Sequence, residues 1–109
     1  MSPEDAADTI REKAAAYGEA KAQRVYLEEF KSSKRALLMK DSLLLGEKAV
    51  NAQEREAYSD PEYVQLLKGL KEAVESEEEI RWGLVAAQAR IEVWRSMEAT
   101  NRAEGKATI

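Results

Sequence analysis

The stretch Ile80–Met97, IRWGLVAAQARIEVWRSM, constrains the chain more than any other, because it carries two apolar faces on one helical period. Ile80, Leu84, Ala87, Ile91 and Trp94 recur at spacings of four, three, four and three, which places them on one face of a helix. Trp82, Val85, Ala86, Ala89 and Val93 recur at helical spacing as well, and lie around the helix from the first set. One partner helix cannot cover both faces. The first is therefore expected to pack within the protomer and the second to pack against something else.

The first face extends back towards the chain's clearest break. Ser59, Asp60 and Pro61 place a side-chain cap and a proline where a helix begins, with Glu62 behind them at the positive end of the dipole. From there Tyr63, Leu66, Leu70 and Ala73 lead into Ile80 at alternating three- and four-residue spacings, interrupted by Glu77. This is a coiled-coil-like seam with one charged member. The spacing predicts a long helix over 61–102 and a frayed tail over 103–109.

The N-terminal half starts in the same way, with Ser2 as hydroxyl cap, Pro3 at the first helical position, and Glu4 and Asp5 in the first turn. A long helix is predicted over 3–45. Its apolar positions are Ile10, Ala14, Tyr17, Val25, Phe30, Leu37 and Leu44, widened by Ala36, Met39 and Leu43. Gly18 is kept helical, since one glycine costs a helix only about 1 kcal/mol. Gly46 follows Leu43, Leu44 and Leu45 where a left-handed residue closes a helix. Residues 46–60 form the connection, and Asn51 with Glu54 resembles a capping box opening a short helix over 52–57.

Charge sets the direction of pairing. Residues 21–40 hold six basic side chains against two acidic, whereas residues 61–80 hold two basic against six acidic. Residues 1–20 are acidic on balance and residues 81–109 basic. Folding back through the connection sets opposite charge against opposite charge along the whole length, as in an antiparallel hairpin. In that register Lys31 and Arg35 come near Glu72 and Glu75. Val25 and Phe30 then face Glu77 and Ile80, and Ser32, Ser33 or Lys34 answers the carboxylate of Glu77. Such exposed pairs are worth about 0 to 1 kcal/mol each, so they select register more than they stabilise. Helices of about 43 residues would each run roughly 65 Å and bury one stripe apiece. That leaves little interior, and points to a helical-bundle oligomer or an obligate partner. The expected class is all-α: one domain of 109 residues built as a hairpin of two long helices with a short connecting helix.

The totals narrow the function. The chain has no cysteine and no histidine, which removes disulfides, thiolate and imidazole metal ligands and the commonest general base. No glycine-rich phosphate loop or catalytic constellation appears, so neither an enzyme nor a cofactor is expected. The acidic N-terminus does not read as a signal peptide, and no apolar run approaches the roughly 20 residues of a membrane span, so a cytosolic protein without a membrane role is expected. Net charge is −4, which argues against general binding to a phosphate backbone.

Three surfaces are candidates. Trp82, with Val85, Ala86, Ala89 and Val93, is the expected interface; the competing reading is that the first helix or the connection simply covers Trp82. Lys31, Lys34, Arg35 and Lys40, with Tyr26 and Phe30 nearby as stacking platforms, are placed to bind single-stranded nucleic acid. Pairing with the second helix is the preferred reading for them. Glu72, Glu75, Glu78 and Glu79 form an acidic face suited to a hard cation or to mimicry of a phosphate backbone, with a solvated or paired helix face the preferred reading.

AYSDPEY at 57–63, RWGLVAAQARIEVWR at 81–95 and NRAEGKAT at 101–108 resemble short, acidic, helical proteins of tailed bacteriophages and prophages, encoded near phage DNA-replication and recombination genes. The resemblance covers residues 20–108 and rests on a packing pattern of tryptophans and arginines, with no chemical signature. It implies a phage accessory protein in the bacterial cytoplasm, working in DNA metabolism or counter-defence, and identifies no site residues. Together with the two-faced helix, it leads to the expectation of a homo-oligomeric adaptor that binds itself and another phage or host protein. A single-stranded DNA accessory factor and an acidic inhibitor of a host nucleic-acid-binding or defence protein are the alternatives.

Overall fold

The computed structural model describes residues 2–107, which form three α-helices and no strand: α1 (Pro3–Leu44), α2 (Val50–Ser59) and α3 (Pro61–Ala107). The chain divides into two compact units. One holds residues 1–18 with 78–109; the other, residues 19–77, holds the rest of α1, all of α2 and the start of α3.

The helix ends follow local chemistry. Ser2 Oγ accepts from the Asp5 N–H at 3.1 Å, capping α1. At the other end Gly46 adopts φ +108°, its N–H donates to Leu43 O, and the Glu47 N–H reaches Ser42 O at 3.1 Å. That pair of bonds is a Schellman closure, and it requires the left-handed residue that glycine supplies without strain. Asp60 Oδ1 accepts from the Glu62 N–H at 2.8 Å and caps α3, as the Ser59-Asp60-Pro61 break implies.

The connecting helix is longer than the 52–57 expected, and its predicted capping box does not form. Ala49 is the N-cap and makes no side-chain cap bond. The turn is held instead by Glu47, whose Oε1 accepts from the Ala49 N–H and whose carbonyl accepts from Gln53 Nε2 at 2.8 Å. The second long helix also runs past its predicted end at 102. Residues 103–107 are helical through Gly105, where a frayed tail was expected; residues 108–109 lie outside the described residues.

In the 19–77 unit, α1 and α3 run antiparallel, with Arg24 meeting Glu77 and Lys34 meeting Glu62. The three helices converge at one small core of Leu38, Ala57 and Tyr63, with Met39 packed against it. Ala57 is 1% exposed and Tyr63 5%. A T-shaped contact joins the Tyr63 and Tyr58 rings at 5.5 Å between centroids. The seam of α3 lies where its spacing put it: Tyr63 and Glu77 are buried, and Leu66, Leu70 and Ala73 half-buried. In the other unit the seam continues through half-buried Ile80 and Leu84, buried Ala87 and half-buried Ile91.

The stripe expected for α1 packs only in part, at half-buried Ile10, Tyr17 and Met39. Ala14, Val25, Phe30, Leu37 and Leu44 are exposed. The inward positions are Ala6, Ile10, Lys13, Tyr17 and Ala20, then Arg24, Leu27, Lys31, Lys34 and Leu38. They follow the three-and-four period of a seam partner, but four of them are cationic. Long Lys and Arg stems cover apolar surface while their heads reach water or a carboxylate, so hydrophobicity alone does not reveal this face. The register moves with it. Arg24, not Ser32, Ser33, Lys34 or the Val25–Phe30 face, meets Glu77, and Lys34 meets Glu62. Arg35, expected with Lys31 near Glu72 and Glu75, reaches Tyr58 instead.

Gly18 sits inside α1 with nothing within 4 Å of where a Cβ would stand. Gly18→Ala should therefore stabilise the protein by about 0.5 to 1 kcal/mol through helix propensity. A thermal melt followed by circular dichroism checks this; a lowered midpoint contradicts the open environment.

Candidate interaction surface

Trp82 stands on α3 with 60% of its surface exposed. Its indole N–H donates to Glu78 Oε2 at 3.1 Å, one turn back, and the Arg81 guanidinium carbon lies 5.2 Å from the ring centroid. The polar edge of the ring is thus satisfied within its own helix, and burying the indole against a partner would leave no donor unmade. Val85, Ala86, Ala89 and Val93 are exposed on the same helix, as the second face requires.

Trp94 belongs to this exposed set more than to the seam. It was expected to pack inside the hairpin, yet it is 39% exposed. At its level α1 has only its first turns to offer, since the helix begins at Pro3 and its nearby side chains are Ser2, Ala6, Ala7 and Ile10. Three of these four are small, and with Ile10 they leave the indole partly uncovered. Together with Gln88, Ile91, Trp94 and Met97 they border an open groove of about 750 Å³ on this unit.

Sequence reasoning stopped the second face too early. In the 19–77 unit, Val64, Leu67 and Val74 of α3 are exposed as well. Each follows a seam position or its equivalent by one residue, and that offset repeat was the signal available. Tyr26 and Phe30 of α1 lie stacked and exposed, their centroids 6.0 Å apart and their planes within 5°.

Three of the eight charged candidates, Lys34, Arg35 and Glu78, are engaged. Lys34 Nζ donates to Glu62 Oε2 at 2.5 Å, and Arg35 Nη1 donates to Tyr58 Oη at 2.8 Å while its guanidinium lies over that ring. The hydrogen bond to Glu62 raises the Lys34 ammonium above its ordinary value, and the bond to Tyr58 does the same for Arg35. A cation whose folded pKa is raised adds stability that is complete below its ordinary pKa and lost as pH rises through the raised value, so both contributions fade only in alkali. Lys31 is half-buried and Lys40 exposed. Of the acidic set, Glu78 serves Trp82 and Arg81, the latter at 3.4 Å, and Glu72, Glu75 and Glu79 are exposed. Among the described residues no group of three or more carboxylates is placed to hold a metal ion, and no helix is long and apolar enough to cross a membrane.

The most enclosed charge is Glu77, whose side chain is 7% exposed. Arg24 reaches it with a two-pronged fork, Nε to Oε2 at 2.6 Å and Nη2 to Oε1 at 2.9 Å, and gives Nη1 to Glu28 at 3.0 Å. The bonds to Glu77 and then Glu28 hold the Arg24 guanidinium well above its usual range. This clamp ties α1 to α3 within the 19–77 unit.

Comparison with protein-family models, with curated proteins and with solved structures gave no match.

Proposed function

We propose that this chain is a non-enzymatic helical adaptor: a long antiparallel hairpin that assembles with copies of itself and presents helical surface to another protein. The observation that carries the reading is the large apolar side chains that α3 leaves exposed in each unit: Val64, Leu67 and Val74 in one, and Trp82, Val85, Val93 and Met97 in the other. Apolar surface left exposed along one helix marks an interaction site. The phage resemblance supplies the setting for this reading, with a phage or host protein in the bacterial cytoplasm as the further partner.

Trp82→Ala tests it. A large aromatic at the centre of an interface contributes 2 kcal/mol or more, so the variant should weaken assembly by about 30-fold. The melting curve of the protomer should stay within about 0.5 kcal/mol of the parent, as for a surface substitution. Sedimentation velocity and circular-dichroism melts measure the two separately. If Trp82→Ala unfolds the protomer while the folded fraction assembles as before, Trp82 is structural and the interface lies elsewhere.

A further inference from the structure

Within the unit of residues 1–18 and 78–109, α1 and α3 border a small crevice of about 150 Å³. Its apolar lining is made of small residues, buried Ala6 of α1 with Gly83 and buried Ala87 of α3. Thr9, Lys13 and Arg90 supply its polar lining. Ala6, Thr9 and Lys13 recur at helical spacing, as do Gly83, Ala87 and Arg90, so each helix turns one face into the crevice. Lys13 is half-buried, and its ammonium lies 3.6 Å from where a Cβ on Gly83 would stand. No carboxylate lines the crevice. Among the described residues neither Lys13 nor Arg90 makes an ion pair, whereas Arg24 and Lys34 of the other unit meet Glu77 and Glu62. Two like charges that converge on one small space repel each other, and an anion between them turns that repulsion into attraction.

We propose that this crevice binds one phosphate-type oxyanion, held by the guanidinium of Arg90 from α3 and by the ammonium of Lys13 and the hydroxyl of Thr9 from α1. The two cations suit such a group in different ways. A guanidinium offers a planar fork that donates to two oxygens at once, and an ammonium adds a compact point charge. Size and net charge select the form in which the group arrives. Pockets that hold a drug-sized ligand start at roughly 300 Å³, so the smaller crevice suits a single phosphate group better than a whole nucleotide. The chain as a whole carries a net charge of −4, which opposes an extended polyanion and leaves inorganic phosphate or a small phosphomonoester as the ligand. Binding here requires no second chain, so it stands apart from the assembly proposed above.

Inorganic phosphate titrated into the full-length, isotope-labelled protein tests this, with the amide resonances of Gly83 and Ala87 as readouts. They should shift and saturate with a dissociation constant on the order of 1 mM, the reach of a few charge-assisted hydrogen bonds at an open site. Chloride at the same ionic strength should leave them in place. Lys13→Met and Arg90→Met should each weaken binding by about tenfold or more, the loss of one charge-assisted contact. Arg102→Gln should bind as the parent does, since twelve residues of α3 separate it from Arg90, roughly 18 Å by helix rise. Arg90 is exposed, so its replacement keeps the fold and carries the test even if Lys13→Met unfolds. Phosphoserine should bind within about threefold of inorganic phosphate, because one phosphate group fills the crevice. Shifts that rise with phosphate without saturating, that chloride reproduces, or that survive both substitutions overturn the site. A short single-stranded oligonucleotide that binds through Lys13 and Arg90 about tenfold more tightly than phosphate overturns the choice of a discrete phosphate group and makes a nucleic-acid backbone the ligand.

Discussion

Tyr63→Ala should lower stability by about 3 to 5 kcal/mol, the cost of deleting a buried aromatic side chain from a site that cannot collapse. Tyr63 is the only large aromatic among the buried hydrophobic residues described, and it fills the point where α1, α2 and α3 meet over Leu38 and Ala57. The alternative partners nearby are poor, because Ala57 is already 1% exposed and the Tyr58 ring is fixed edge-on and bonded to Arg35. Losing the ring should loosen α2 first, since it is ten residues long and owes its position to this contact. Urea melts followed by circular dichroism give the magnitude, and hydrogen exchange should place the earliest loss of protection in residues 50–59. Tyr63→Phe keeps the apolar body and should retain most of the stability. A loss below about 1 kcal/mol for Tyr63→Ala would mean that the three-helix junction is not the core of this unit.

The two long helices were legible for ordinary reasons. Ser2 and Asp60 are side-chain caps, Pro3 and Pro61 are first-turn prolines, and Gly46 is a left-handed closure; each acts within a few residues of itself and does not depend on tertiary context. The seam of α3 was legible because its members, Glu77 apart, are apolar and regularly spaced from Tyr63 to Ile91. Its partner on α1 was not, because Lys13, Arg24, Lys31 and Lys34 occupy inward positions. A search for apolar residues slides past such a face and settles on Val25, Phe30 and Leu37, which the fold leaves in water. The wrong stripe then carried the wrong register, and Glu77 was assigned to Ser32, Ser33 or Lys34 when its partner is Arg24.

The candidate surface was read more fully at Trp82 than at Trp94. Two tryptophans twelve positions apart looked like one seam residue and one interface residue, but spacing does not show that α1 offers mostly small side chains, Ser2, Ala6 and Ala7 with Ile10, beside Trp94. Val64, Leu67 and Val74 were missed because each sits next to a seam residue, where a single apolar neighbour widens a stripe without announcing a second face. The structure separates the two by burial: Leu66 and Leu70 turn inward while Leu67 stays 40% exposed.

Arg24→Met should destabilise the protein more than any exposed ion pair could account for, with a fall in Tm of roughly 10 °C. The substitution keeps most of the apolar stem but removes the guanidinium from the Glu77 carboxylate, which is 7% exposed and tied to it through both oxygens. An enclosed carboxylate deprived of its cation must be hydrated or protonated, and either cost falls on the folded state. The same reasoning gives an opposite result for the pair. Arg24→Met with Glu77→Leu removes both charges and substitutes apolar side chains, so the double variant should recover the parent Tm or exceed it, because the desolvation cost of the ions disappears with them. What the double variant should lose is register. With cations at Lys13, Lys31 and Lys34 also facing inward, the Arg24–Glu77 clamp is the polar contact best placed to fix how α1 lies along α3. A stable double variant with broadened amide resonances or altered tyrosine packing would assign the pair to specificity. A double variant as unstable as Arg24→Met alone would show instead that this buried ion pair contributes net stability.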